Sequence, residues 1–128
     1  GRRALAPASQ AAMQAMERNG AEVQVALVNV ADSAAVANAL GEVRRSMPPL
    51  RGVMHAAGSL HDATLEQLTP EHFRDAFDGK VTGAWNLHET TRQDTLDFFL
   101  LFSSAASVFG APGQANYAAA NACLDALA

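Results

Sequence analysis

The sequence is poor in cysteine, in long apolar runs and in clustered basic residues, and each shortage excludes a class of protein. Its single cysteine, Cys123, cannot form an internal disulfide bond, which fits a reducing, cytoplasmic setting. No stretch approaches the roughly 18 consecutive apolar residues of a membrane helix, so we expect no membrane span. Nine basic residues against thirteen acidic ones give a net charge of -4 without a long basic cluster, so we expect no nucleic-acid partner.

The rest of the composition is that of an ordinary globular domain, with 49% hydrophobic and 17% charged residues. Apolar residues at helical spacing predict helices over residues 8–20, 33–46, 69–92 and from about 113. Apolar and β-branched runs predict strands over residues 22–30, 50–58 and 96–104. This alternation predicts an α/β fold with a parallel sheet, in which ligands bind beyond the carboxyl ends of the strands.

Two short features add detail to this prediction. Thr69 followed by Pro70 predicts the start of the third helix, with Thr69 as its N-cap. The apolar surroundings of Cys123 and Trp85 predict that both side chains are buried in the core.

The last predicted helix carries Tyr117 and Asn121, one helical turn apart and therefore on one face. The alanines around them would allow a ligand or another backbone to approach closely. From the residues alone, this face is either a site or a tight helix contact.

Three stretches together carry a resemblance to a known family: "HAAGSLHDATLEQLTPEHF", "KVTGAWNLHE" and "FLLFSSAASVFGAPGQANYAAANACLDALA". They resemble the ketoreductase domain of modular polyketide synthases, a branch of the short-chain dehydrogenase/reductase superfamily. The resemblance implies a Rossmann-like doubly wound parallel sheet. No G-x-G-x-x-G turn for a pyrophosphate occurs in the sequence. We therefore expect residues 1–128 to be an internal part of one such domain, with the strand at 22–30 lacking its neighbours and the segment alone folding poorly.

The resemblance implies four catalytic residues: Lys80, Ser104, Tyr117 and Asn121. Tyr117 would donate a proton to a ketone oxygen, Lys80 would favour the phenolate by its charge, and Ser104 would hydrogen-bond the same oxygen. Asn121 would orient the lysine or a proton-relay water. The alternatives are a packing contact for the Tyr–Asn pair and a solvated lysine; the match of all four positions favours catalysis.

The resemblance also implies NADPH as the cofactor. Arg2 or Arg3 would bind its 2'-phosphate, with a solvated terminal pair as the alternative. Asn29 and Val30 would contact the adenine, although this family usually has aspartate where Asn29 stands. Ala57 and Gly58 would let the nicotinamide ribose approach. The histidines lack metal-ligand spacing, so no metal is expected.

Two further positions bear on the face of the ketone that is reduced. In this family a Leu-Asp-Asp loop marks B-type domains, and a tryptophan eight residues before the tyrosine marks A-type domains. Here the loop is Leu60-His61-Asp62, and Phe109 stands eight residues before Tyr117. Asp62 and Phe109 are thus predicted to orient the substrate as in B-type domains, unless Asp62 only caps the following turn.

The implied function is NADPH-dependent reduction of a β-ketoacyl chain. The substrate would be carried on the phosphopantetheine of an acyl carrier protein, among neighbouring synthase domains. A non-catalytic scaffold domain is one alternative. A free-standing short-chain reductase is another, disfavoured because most such relatives have the lysine and asparagine in exchanged positions.

Overall fold

The computed structural model describes residues 5–128, and the chain alternates helices with two short strands. The elements in chain order are α1 (Pro7–Arg18), α2 (Ser33–Ser46), β1 (Gly52–His55), α3 (Pro70–Phe77), a π-helical turn (Asp78–Thr82), α4 (Gly83–Thr91), β2 (Phe98–Leu101), α5 (Ala106–Phe109) and α6 (Ala115–Leu127).

The two strands form a parallel pair, as the alternation of elements predicts. Gly52 lies opposite Phe98, and His55 lies opposite Leu101. One backbone hydrogen bond continues the pairing past the carboxyl end, because the amide of Phe102 donates to the carbonyl of His55 at 2.9 Å. Both strands therefore present their carboxyl ends at the same edge, where residues 56–58 and 102–104 follow.

The prediction of a strand over residues 22–30 is wrong, because the structure forms no strand there. The segment is anchored at its two ends instead. Gln24 Nε2 donates to Ser46 Oγ at 3.0 Å, and Asn86 Nδ2 donates to the carbonyl of Val30 at 2.9 Å. A β-branched sequence becomes a strand only where a neighbouring strand supplies ladder hydrogen bonds. The two strands of the described chain pair with each other and not with this segment.

Side-chain caps explain where two of the helices begin. The carboxylate of Asp32 accepts a hydrogen bond from the amide of Ala35 at 3.0 Å, which starts α2. Thr69 caps α3 in a capping box with His72, and Pro70 opens the helix, as predicted. The long helix predicted to follow is interrupted, because residues 78–82 form a π-helical turn between α3 and α4.

The core of the described chain is small and lies where α3, the π-helical turn, α4 and α6 meet. The buried positions of α6 recur at helical spacing: Asn116, Ala120, Asn121 and Leu124. Cys123 lies off this stripe and is exposed, so the prediction that it is a core residue is wrong. Trp85 is also exposed, at 53%, and stacks on His88 at the surface of α4.

Candidate active site

The π-helical turn carries Lys80, which is only 5% exposed. A π-turn widens the helix by one residue and is frequent at functional sites. Its fit against the end of β1 depends on glycines that lie side by side. A Cβ on Gly79 would lie 3.2 Å from the Cα of Gly58, and a Cβ on Gly58 would lie 3.3 Å from Lys80 Cε. Side chains at these glycines would separate the turn from β1.

The ammonium of Lys80 lies between the end of β2 and the ring of Tyr117. Its Nζ donates to the carbonyl of Phe102 at 2.9 Å and lies 5.2 Å from the centroid of the Tyr117 ring. This distance is within the range of a cation–π contact. Two predicted catalytic residues, 37 positions apart in the sequence, therefore meet in the fold.

Asn121 is fully buried one turn after Tyr117. Its Nδ2 donates to the carbonyl of Tyr117 at 2.8 Å. Its Oδ1 accepts no hydrogen bond from any residue of the described range 5–128. A buried acceptor without a partner is costly, so this oxygen is available to a water or to a donor that moves toward it.

Ser104 is half-buried just after β2. Its Oγ accepts a hydrogen bond from the amide of Ala106 at 3.2 Å, and the hydroxyl keeps the capacity to donate. The neighbouring Ser103 instead faces α6, where its Oγ lies 3.4 Å from the carbonyl of Asn121. Ser103 therefore contributes to the packing of α6 against the end of β2.

A cavity of about 270 Å³ lies beside this cluster, at the carboxyl end of β1. Its lining includes four predicted cofactor residues, Asn29, Val30, Ala57 and Gly58. Asp75 and Asp78 line it as well, and the sequence analysis did not predict them. Carboxylates repel phosphate but accept hydrogen bonds from hydroxyl and amide groups, so this cavity suits a nucleoside part of a ligand.

Asp62, the first of the two predicted substrate-orienting residues, contacts the segment that leads into α6. Gln114 Nε2 donates to the two carboxylate oxygens of Asp62 at 3.1 and 3.0 Å, and the amide of Ala63 donates to the carbonyl of Gly113 at 2.9 Å. Asp62 therefore links its loop to the helix of Tyr117. Phe109, the second residue, ends α5 and is 86% exposed.

Some predictions concern other parts of the chain. Arg2 and Arg3 lie outside the described residues. Within residues 5–128, no group of three or more His, Cys, Asp or Glu side chains could hold a metal ion. No helix in that range is long and apolar enough to cross a membrane.

His55 is the residue of the site whose place the sequence did not reveal. Its side chain is 2% exposed, and its Nε2 lies 2.9 Å from the carbonyl of Lys80. Burial lowers the pKa of His55. The signal available in the sequence was its position at the end of a strand.

The carboxyl end of the parallel strand pair holds Lys80 beside the ring of Tyr117, with Asn121 one turn after Tyr117 and Ser104 just after β2. The model of the KR domain family matches residues 1–128. This chain belongs to the KR domain family.

Curated relatives of this KR domain are polyketide synthases. It is 50% identical over 109 residues to the phenolphthiocerol synthesis polyketide synthase type I Pks15/1 of Mycobacterium bovis. The match covers 85% of this chain and 5% of that protein. It is 51% identical over 109 residues to the "Putative inactive phenolphthiocerol synthesis polyketide synthase type I Pks1" of Mycobacterium tuberculosis. That match covers 85% of this chain and 7% of that protein. The chain thus spans a small fraction of these relatives.

Several solved structures with the same fold are ketoreductase domains. A ketoreductase from the bacillaene assembly line superposes with a TM-score of 0.94 at 36% identity, covering 99% of this chain and 30% of that one. An A-type ketoreductase from a modular polyketide synthase superposes with a TM-score of 0.87 at 42% identity. This match covers 95% of this chain and 26% of that one. The fold is therefore the Rossmann-like α/β fold, here with a partial sheet.

Proposed function

We propose that this KR domain segment belongs to an enzyme that reduces a β-ketoacyl thioester to the β-hydroxyacyl thioester with NADPH. The observation that carries the proposal is the position of the Lys80 ammonium, 5.2 Å from the Tyr117 ring centroid, in the interior of the site. A structural lysine would lie at the surface with its charge in water. A buried ammonium beside a phenol ring suits proton transfer.

The chain's own residues supply orientation and a proton. The Tyr117 hydroxyl donates its proton to the ketone oxygen as negative charge develops there, and the Lys80 ammonium stabilises the phenolate that results. The Ser104 hydroxyl donates a second hydrogen bond to the same oxygen and fixes the carbonyl in place. Asn121 Oδ1 accepts a hydrogen bond from a water or from the lysine, which provides a path for the proton that Tyr117 regains.

The nicotinamide cofactor, when bound, supplies the hydride. The fit of this chain to such a cofactor is supported by the cavity at the end of β1, which Ala57 and Gly58 line. Asn29 and Val30 line the same cavity and would contact the adenine. The preference for NADPH over NADH is assigned to Arg2 or Arg3 through the 2'-phosphate.

The substrate is assigned as a β-ketoacyl chain on an acyl carrier protein, with neighbouring synthase domains as the other partners. This assignment is supported by the relatives, which are large polyketide synthases. The complete domain of the parent polypeptide tests it. NADPH should be oxidised in proportion to the β-ketoacyl thioester reduced, and NADH should be a poor substitute.

We further assign B-type stereochemistry, with a D-configured and usually (3R) hydroxyl product. The assignment is supported by the Asp62–Gln114 contact, which ties the substrate-orienting loop to the segment three residues before Tyr117. The A-type domain is 42% identical with 95% of this chain covered, whereas this assignment rests on residues 60–62 and 109 alone. Chiral chromatography of the 3-hydroxy product tests it, and a predominant (3S) alcohol, after correction for substituent priorities, would contradict it.

A non-catalytic scaffold is the second candidate, because one relative is described as inactive. A complete domain that binds NADPH and still leaves every β-ketoacyl thioester unreduced would favour the scaffold. Absence of both binding and turnover, in a folded domain, would contradict the proposed function altogether.

A further inference from the structure

Three hydrogen bonds form a closed ring at the carboxyl end of the two strands. The amide of Phe102 donates to the carbonyl of His55 at 2.9 Å. Lys80 Nζ donates to the carbonyl of Phe102 at 2.9 Å, and the ring of His55 meets the carbonyl of Lys80 at 2.9 Å. Each of the three residues thus contacts the other two. We call this set, His55, Lys80 and Phe102, the three-residue ring.

The imidazole of His55 must be the donor in its bond, because a carbonyl oxygen only accepts. Its Nε2 therefore carries the proton. This requirement is compatible with a neutral ring, and burial of His55 disfavours the charged form. The bond reaches the backbone of Lys80 inside the π-helical turn, where the regular hydrogen-bond ladder of the helix is interrupted.

The contacts around His55 leave little freedom for another arrangement. A Cβ on Gly83, just after the π-helical turn, would lie 3.1 Å from His55 Cε1 and 2.7 Å from Val30 Cγ2. The π-helical turn therefore packs closely against two neighbours: Gly83, just after it, lies beside the ring of His55, and Gly79, within it, lies beside Gly58. From this turn the side chain of Lys80 extends toward Phe102 and Tyr117.

We propose that His55 is a positioning residue: through the three-residue ring it fixes the backbone of Lys80 and thereby the place of the ammonium beside Tyr117. The inference rests on the proposed function and deepens it. His55 touches neither the substrate nor the reacting atoms. It acts on the reaction through Lys80.

Two substitutions of His55 distinguish the effect of its hydrogen bond to the carbonyl of Lys80 from the effect of having any polar side chain at this position. His55→Gln keeps an N–H donor at the distance of Nε2, whereas His55→Asn is shorter and places its donor near the position of Nδ1. Both are neutral and polar. His88→Asn on the exposed face of α4 is the matched control, since His88 lies outside the three-residue ring. All variants are made in the complete domain of the parent polypeptide.

The first readout needs no cofactor and no substrate. Acetylation by an amine-reactive reagent is followed by mapping of the peptide that carries Lys80, the sole lysine of residues 1–128. The labelling of that peptide reports how often this ammonium becomes accessible. We expect His55→Asn to raise the labelling rate roughly fivefold, the scale of one net hydrogen bond in a local opening. His55→Gln and His88→Asn should label as slowly as the wild type. Thermal melting identifies any variant that labels because it unfolds.

The second readout is turnover. His55→Asn should lower kcat by roughly 10- to 100-fold, as displacement of a catalytic group by about an ångström does, with KM little changed. His55→Gln should restore most of kcat. A His55→Asn domain that labels and turns over like the wild type overturns the proposal, and so does equal damage by both substitutions.

A measurement on the unmodified domain remains decisive if His55→Asn fails to fold. Nitrogen-15 NMR at alkaline pH identifies which nitrogen of His55 carries the proton; a proton on Nδ1 and none on Nε2 overturns the proposal. The labelling and NMR results do not depend on reduction. If the wild-type domain reduces no β-ketoacyl thioester while Lys80 labelling still follows the His55 bond, the proposed function fails and the positioning role survives.

Discussion

The two ends of the parallel strand pair hold their polar groups in opposite ways. At the carboxyl end, His55 and Lys80 are buried and are hydrogen-bonded to backbone carbonyls. At the amino end, Arg51 and Asp97 form an ion pair at 2.5 Å with side chains 59% and 56% exposed. Water screens the exposed pair, whereas the buried groups have only the protein as a partner. Function is therefore expected to depend on the carboxyl end, and the amino end should tolerate change.

The largest effect on catalysis is expected when the proton donor at the carboxyl end is removed. Tyr117→Phe keeps the ring beside Lys80 and removes the hydroxyl, so kcat should fall roughly 10²–10⁴-fold, the scale of general acid catalysis. NADPH affinity should change little. Asp97→Asn at the amino end is the control and should reduce the substrate at a near-normal rate. Near-normal turnover by Tyr117→Phe in steady-state assays would refute the role of Tyr117.

The next effect concerns stability and uses two helical glycines. Gly83→Ala would place a methyl group against Val30 and His55, which should destabilise the complete domain by about 1–3 kcal/mol. Gly41→Ala in α2 meets no atom within 4 Å and should instead stabilise it by about 0.5–1 kcal/mol. Urea denaturation of the two variants measures both. Equal effects would show that the close approach at Gly83 has no energetic consequence.

A third test concerns pH and the buried histidine. Because burial lowers the pKa of His55 below its ordinary value of 6.5, the unfolded chain binds a proton more readily than the folded one. The stability from the neutral ring is therefore fully present above about pH 6.5 and is lost as the pH falls through the folded-state pKa. Melting temperatures measured from pH 8 to pH 5 should fall less steeply for His55→Gln than for the wild type. Parallel curves would contradict this assignment.

The smallest effect is expected at the amino end. A double-mutant cycle of Arg51→Met and Asp97→Asn should give a coupling of about 0.2–1 kcal/mol, typical of exposed ion pairs, and high salt should reduce it. Chemical denaturation measures this coupling. A clearly larger value would mean that the two ends of the strand pair are held more alike than their exposure indicates.

A neighbouring ion pair sharpens the same comparison. Arg44 binds Asp94 at 2.5 Å and also donates to the carbonyl of Thr90 at 2.8 Å, which joins α2 to the end of α4. The hydrogen bond from Arg44 holds the pKa of the Asp94 carboxyl below its ordinary value. This pair is less exposed than Arg51–Asp97 and links two helices, so it contributes to packing at the amino end.

Local sequence signals predicted the elements whose formation depends on near neighbours in the chain. Thr69 and Pro70 begin α3 because cap and ring geometry act within one turn. The parallel pairing of β1 and β2 followed from the alternation of apolar runs with helical periods. The helix predicted over residues 69–92 is interrupted at residues 78–82, although periodicity gives no reason to expect a π-helical turn there.

The sequence by itself determined the α/β class and the order of the two paired strands, and its resemblance to a known family implied Lys80, Ser104, Tyr117 and Asn121 as candidates. Only the tertiary structure decided that residues 22–30 form no strand and that His55 bonds to the backbone of Lys80. The physical reason is the range of the interactions. Caps and periodicity act between residues a few positions apart, whereas a strand needs a partner and the three-residue ring joins residues 22 to 47 positions apart.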